Sequence, residues 1–164
     1  MEITQAIKSE EDIEKIVKVT EEHPNFSPYF TDEIKKMIDR QQFFLAYEGR
    51  ELLGFSAVSR IKKHWSELSL IYVFEKHRGK KIGSLLLDRA LSQAEGKKFL
   101  AGSRNIILKD KFSRSGFKKI SLILLPLGII FFLIKRQGGS WPRLKDTWRK
   151  VRQGGFGFFV KYPR

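Results

Sequence analysis

"ELSLIYVFEKHRGKKIGSLLLDRAL", residues 67–91, is the stretch whose reading decides the fold. A strand-like run of apolar and aromatic residues closes at Val73–Phe74. A loop follows in which Gly79 and Gly83 sit among Lys76, His77, Arg78, Lys80 and Lys81, and apolar spacing predicts a helix from about Lys80 to Glu95. The first N–H groups of a helix lack intrahelical partners and carry partial positive charge. Glycines let a ligand approach that backbone closely, and lysines add attraction at longer range. A strand, a glycine loop and a helix start in this order make an anion site, most naturally for a pyrophosphate. The Walker pattern is absent, because Gly79 and Gly83 are four apart and Ser84-Leu85 follows; G-x-G-x-x-G is absent as well. On these residues alone, a solvated basic turn ahead of a core helix fits as well as a phosphate cradle.

The rest of the chain supplies a mixed α/β pattern around this stretch. "EITQAIK" (2–8) reads as a first strand, and Ser9 caps a helix with acids in its first turn and Ile13, Ile16, Val17 and Thr20 at helical spacing. "HPNFSPYF" (23–30) is a loop, and Thr31 caps a second helix. "FFLAYEGRELLGFSAVSRI" (43–61) reads as two strands about a turn, "KKFLAGS" (97–103) as a short strand, and "IILKDKFSRS" (106–115) as a helix ended by Gly116. Ile120 to Ile134 is an apolar run of fifteen residues. As one helix it would span about 22 Å, short of a hydrocarbon layer of about 30 Å. Pro126-Leu127-Gly128 sits in its middle, so the run is expected to be a buried hairpin rather than a membrane segment. The expected fold is a single α/β domain over 1–136 with one mixed sheet and about four flanking helices. Residues 137–164 are set apart as a basic, aromatic extension, in which Trp141, Leu144, Trp148 and Val151 recur at the spacing of an amphipathic helix.

Composition narrows the chemistry. The 164 residues contain no cysteine, which excludes a disulfide scaffold, a thiolate metal site and a cysteine nucleophile. His23, His64 and His77 are scattered, so no metal site is expected. Residues 1–60 carry eight Lys and Arg against twelve Asp and Glu, and residues 61–164 carry twenty-four against six. A basic half of this kind implies an anionic partner: nucleic acid, a membrane surface or a phosphorylated cofactor. The polar, acidic start is not a signal peptide, so the default location is the cytoplasm, with peripheral attachment at a membrane surface left open.

Two motifs in the right order resemble the GNAT acetyltransferase superfamily. Its central pattern, R/Q-x-x-G-x-G/A after a strand, is similar to Arg78…Gly83 here, with Lys81 where the family usually has glycine. A second family pattern places a tyrosine seven residues after an asparagine, and a Gly-Phe four residues later. "NIILKDKFSRSGF" has Asn105, Phe112, Gly116 and Phe117 at that spacing, with phenylalanine in the tyrosine's place. The resemblance is strongest over 43–119 and does not cover the tail.

The resemblance implies a sheet whose central strands, 67–74 and 98–103, splay to form a wedge for acetyl-CoA, used as co-substrate without a metal. The pantetheine arm is expected along Ile71, Tyr72 and Val73, and the pyrophosphate over Arg78, Gly79, Lys80, Lys81, Ile82, Gly83 and Ser84. Asn105 is expected either to bond the pantetheine or to cap the next helix. The implied reaction is acetyl transfer to an amine, with Val73 N–H polarising the thioester carbonyl. Glu67 is the candidate base, expected on one strand face with Ser69, Ile71 and Val73; an ordinary strand glutamate is the plainer reading. Phe112 has no proton for the leaving thiolate, which leaves water, or Ser113 if it turns inward. Phe26, Tyr29 and Phe30, with the "PLG" turn, are the expected acceptor mouth.

The competing readings are a protein of this fold that binds acyl-CoA without catalysis, and a basic module whose tail docks on nucleic acid or an anionic membrane. The expected partners are therefore an acyl-CoA and an amine acceptor, either small molecule or protein, with the tail's partner and a homodimer left open.

Overall fold

The computed structural model describes residues 1–24, 26, 28–93, 96–121, 124–137 and 157–163. They form one sheet whose central strands are buried on both faces. Its strands are β1 (Glu2–Thr4), β2 (Phe43–Glu48), β3 (Glu51–Lys62), β4 (Trp65–Val73), β5 (Lys98–Ser103), β6 (Lys118–Ile120) and β7 (Gly157–Lys161). Their order is β1-β2-β3-β4-β5-β7-β6. Every neighbouring pair is antiparallel except β4 and β5. The one parallel pair needs a crossover, and helix α3 (Ile82–Gln93) supplies it.

Helices cover both faces. On one face, α3 and α4 (Ile106–Arg114) bury Leu86, Leu87 and Phe112 with Phe44, Leu68, Phe99, Ala101 and Phe159. On the other, α1 (Glu10–Glu22) and α2 (Thr31–Asp39) bury Ile13, Ile16, Ile34 and Met37 against Phe43, Leu45, Phe55 and Leu70. Helix α5 (Leu127–Gln137) packs Ile129 on that same second face with Trp65, Leu100 and Val160. Phe43/Phe44, Phe99/Leu100 and Phe159/Val160 divide between the faces as consecutive strand residues must. Ser9 stands at the N-cap position of α1, its carbonyl accepting from Asp12 N at 3.1 Å. Thr31, expected as a cap, is the first residue of α2; Glu33 closes that end by accepting from Phe30 N at 3.0 Å.

Strand β4 breaks the alternation, and this opens the sheet. Leu68 packs on the α3 face, yet so do Ile71 and Val73, while Leu70 packs on the opposite face. The register against β3 shifts at the same place, from Ala57↔Leu70 to Val58↔Leu68, so Ser69 is the extra residue of a β-bulge. A bulge bends its strand and increases the local twist. Pairing of β4 with β5 runs from Trp65↔Lys98 to Leu68↔Ala101 and stops there, one residue before the bulge, although both strands continue. Beyond it β4 follows β3 as far as Gly54↔Val73, and β5 follows β7 as far as Ser103↔Gly157. The result is a wedge between Leu70–Val73 and Gly102–Ser103.

Two expectations fail at the C-terminal side. The apolar run is not a hairpin: β6 ends at Ile120 and Leu127–Gln137 is helical. Proline read as a breaker is here a starter, its carbonyl accepting from Ile129 N at 2.7 Å and Ile130 N at 3.2 Å. Proline is well placed at a helix start, where its missing N–H costs nothing. The partner expected for β6 within the hairpin comes instead from residues 157–161, which lie between β5 and β6. Part of the segment set apart as an extension is thus a strand of the sheet, and the helical spacing at Trp141–Val151 lies outside the described residues.

Candidate active site

The wedge edge of β4 is built from backbone. Phe74 N donates to Leu53 O at 3.1 Å, and Gly54 lies so close to Tyr72 that an added Cβ would fall 2.6 Å from Tyr72 O. Tyr72 therefore turns its peptide groups toward β3. By alternation Ile71 and Val73 direct theirs to the open side. Strand polar groups left without a ladder partner have to be satisfied by something else. At the end of the edge Arg78 Nε donates to Val73 O at 3.3 Å, with its guanidinium 5.8 Å from the Tyr72 ring centroid. Of the three residues expected along the pantetheine arm, Ile71 and Val73 face the wedge with their backbone; the Tyr72 side chain packs on the opposite face, 5.6 Å from His23.

The loop after β4 makes one turn of 3-10 helix at Glu75–His77 and then enters α3. Its glycine pattern follows from conformation. Gly79 has φ of 85° and Lys81 has φ of 61°, both in the left-handed region. Glycine adopts that region freely, whereas lysine bears a steric cost there. Lys81 thus occupies a position whose backbone suits glycine, the residue that the resembled pattern has there. The Lys81 carbonyl accepts from Ser84 N at 3.0 Å and Leu85 N at 3.2 Å, so Ile82 and Gly83 N–H precede the helix ladder. No described group accepts from either of them. The loop is moored to β3: Lys76 pairs with Glu51, and buried His77 lies with Nε2 3.3 Å from Glu51 Oε1. The Lys76 hydrogen bond holds the Glu51 carboxyl below its usual value.

Helix α4 leaves β5 on the other side of the wedge. Asn105 is its N-cap, with Oδ1 accepting from Ile107 N at 2.9 Å and Leu108 N at 3.3 Å. Lys111 reaches from this helix to α3, its Nζ donating to Ser84 Oγ at 2.8 Å. Sequence reasoning missed Lys111, although a signal was present: it lies three residues after Leu108, which packs toward the sheet, and so shares that side of the helix.

Glu67 is buried, at 6% exposure, between Ser59 of β3 and Leu100 of β5. The bulge overturns its expected face. With Leu68 on the α3 side, Glu67 projects to the face of Leu70, Tyr72 and Leu100, opposite the side chains of Ile71 and Val73. The extra residue Ser69 is the physical reason, since one inserted residue reverses every side chain beyond it. Phe112 is core, with its ring centroid 5.3 Å from Phe117 and 5.6 Å from Phe159. Ser113 does not turn inward; it is exposed and donates to Lys109 O at 3.1 Å. Of the expected acceptor mouth, Phe26 packs 4.7 Å from His23, Tyr29 packs against the α1–α2 core, and Phe30 is exposed. The "PLG" turn is absent, being the start of α5. Among the described residues no cluster of His, Asp or Glu could hold a metal ion, and no helix is long and apolar enough to cross a membrane.

Known proteins share this fold. The family model for the acetyltransferase (GNAT) domain matches residues 8–134. Among solved structures, N-acetylglutamate synthase from Neisseria gonorrhoeae, complexed with coenzyme A and N-acetyl-glutamate, superposes with a TM-score of 0.72 at 19% identity. That match covers 99% of this chain and 35% of the synthase, so the chain spans about a third of that protein. Rv2747 from Mycobacterium tuberculosis, in complex with CoA and NLQ, gives 0.76 at 15% identity and covers all of both chains. A GNAT-family acetyltransferase from Staphylococcus aureus Mu50 gives 0.62 at 21% identity, covering 77% of this chain and 90% of that one. No curated protein sequence is significantly similar to the chain. These structures share the fold, and the family model spans the bulged strand, the glycine loop and the capped α4 described above. The chain belongs to the GNAT acetyltransferase family.

Proposed function

We propose that the chain transfers an acetyl group from acetyl-CoA to a primary amine by direct attack in a ternary complex. The observation that carries this reading is the end of β4–β5 pairing at Leu68↔Ala101, which leaves the Ile71 and Val73 peptide groups facing an open wedge. A pantetheine arm carries amide donors and acceptors that pair with such an edge. At the wedge's end the N–H groups of Ile82 and Gly83, with Arg78, Lys80 and Lys81, suit a pyrophosphate. Two of the superposed structures are complexes with coenzyme A, which supports a cofactor of this class.

In the proposed step the amine nitrogen bonds to the thioester carbonyl carbon, the C–S bond breaks, and coenzyme A leaves as its thiolate. A lysine-like amine has a pKa of about 10.4 and must shed its proton to attack. Glu67, on the face opposite α3, accepts that proton directly or through water. Val73 N–H stabilises the charge that develops on the carbonyl oxygen. With Phe112 in the core and Ser113 at the surface, water carries the second proton, shed by the nitrogen as the amide forms, to the thiolate, whose conjugate acid (pKa about 8.5) is acidic enough to make it a tolerable leaving group.

Release of coenzyme A thiol from acetyl-CoA, measured over an amine panel, tests the reading. The panel includes free amino acids, because one superposed synthase holds N-acetyl-glutamate, and peptide N-termini. Turnover that requires an amine supports the proposal. Glu67→Gln is expected to lower kcat by roughly 100-fold with acetyl-CoA affinity unchanged; an unchanged kcat removes Glu67 as the base. The burial of Phe112 favours a second reading, an acyl-CoA-binding protein with little catalysis, and tight acetyl-CoA binding without turnover on any amine would select it.

A further inference from the structure

The Lys111–Ser84 contact joins the two helices that leave the splayed strands. Helix α3 follows β4 and α4 follows β5, so this hydrogen bond of 2.8 Å crosses the mouth of the wedge. Gly83 fixes the place: a Cβ added there would lie 3.5 Å from Val73 Cγ2 and 3.8 Å from Lys111 Nζ. The ammonium therefore sits close to both the last residue of the β4 edge and the first turn of α3.

The electrostatics of this position are unfavourable without a ligand. A helix N-terminus repels cations, and Lys80 and Lys81 stand in the same loop as Arg78, which pairs with Glu75 at 3.1 Å. No carboxylate among the described residues pairs with Lys111, Lys80 or Lys81. An ammonium has three donors, and Ser84 Oγ is the one acceptor Lys111 has among the described residues. A phosphate between the two helices would take the remaining donors and convert the repulsion into attraction.

We propose that Lys111 is a phosphate-binding residue for the cofactor, reaching the pyrophosphate from α4 while the α3 backbone holds it from the other side. Ser84 is its positioning partner, keeping the ammonium over the helix start. This rests on the acyl-CoA reading above and assigns to this chain a cation at a position that neither family motif specifies. Hydrogen bonds to charged groups are the strong class, so loss of this one is measurable by titration.

The test compares coenzyme A with pantetheine, which lacks the pyrophosphate, by calorimetric titration of the wild type, Lys111→Met and Lys111→Arg. Lys111→Met is expected to weaken coenzyme A by about tenfold or more and to leave pantetheine unchanged. Lys111→Arg, which keeps the charge, is expected to stay near wild type. Equal coenzyme A affinity in the wild type and Lys111→Met overturns the proposal while the site reading stands. So does an equal loss for pantetheine, or an arginine variant as weak as the methionine one, since either means that the residue serves the fold. Failure of the wild type to bind coenzyme A at all overturns the site reading and the proposal together.

Discussion

Helices α3 and α4 lie on the same face of the sheet and start beside the same wedge, yet their N-termini are built in opposite ways. At α4, Asn105 Oδ1 takes the N–H groups of Ile107 and Leu108, and the helix start is satisfied from within the chain. At α3, the residue before the helix is a lysine in the left-handed region, and no described group accepts from Ile82 or Gly83 N–H. One end has its cap; the other has cations and two N–H donors that no described group takes up. The α3 end lacks a side-chain cap of the kind worth about 1 kcal/mol, and in the proposed function the cofactor's pyrophosphate takes up its N–H groups.

The contrast can be broken most sharply by giving α3 an internal anion. Gly83→Asp places a carboxylate at the first turn, where an added Cβ meets only ordinary contacts and Lys111 Nζ is within reach. Coenzyme A affinity is expected to fall by about 100-fold or more, because the charged contacts to phosphate are contested. Stability should rise by about 0.5 kcal/mol, since acid is favoured at a helix N-terminus. Titration and thermal melting of the same variant read the two effects, and a joint loss of both would mean that the residue serves packing.

Removing the cap of α4 sharpens the other half of the comparison. Asn105→Ala is expected to cost about 1 kcal/mol of stability in a denaturant melt and to change coenzyme A affinity little. A tenfold loss of affinity in the folded variant would instead assign Asn105 to the cofactor as well. The smallest effect is expected at Lys81. Lys81→Gly relieves left-handed strain of about 1 kcal/mol but adds chain entropy of a similar size. Its melting temperature should therefore stay level or rise slightly, and loss of one charge should weaken coenzyme A only a few-fold.

The sheet, its helices and the glycine loop were legible because each rests on local pattern. Apolar runs about the turn at Gly49 mark β2 and β3, helical spacing marks α1 and α3, and a helix-forming run closed by Gly116 marks α4. Three features were not legible. Ser69 carries no signature of a bulge, so simple alternation puts Glu67 on the wrong face. Pro126 has the same identity as a hairpin breaker and as a helix starter, and only Trp65, Leu100 and Val160, distant in sequence, favour the helix by burying Ile129. Strand β7 reads as a glycine-rich, aromatic tail until β5 and β6 are present on either side of it.

The sequence by itself determined the α/β class and the strand, glycine loop and helix over 67–91, because each depends on residues a few positions apart; it left Asn105 open between cap and cofactor contact. The tertiary structure decided where β4 leaves β5, which face Glu67 occupies, and that Lys111 meets Ser84 across the wedge. Those outcomes depend on an inserted residue in one strand and on the packing of segments far apart in the chain, and no local periodicity records either.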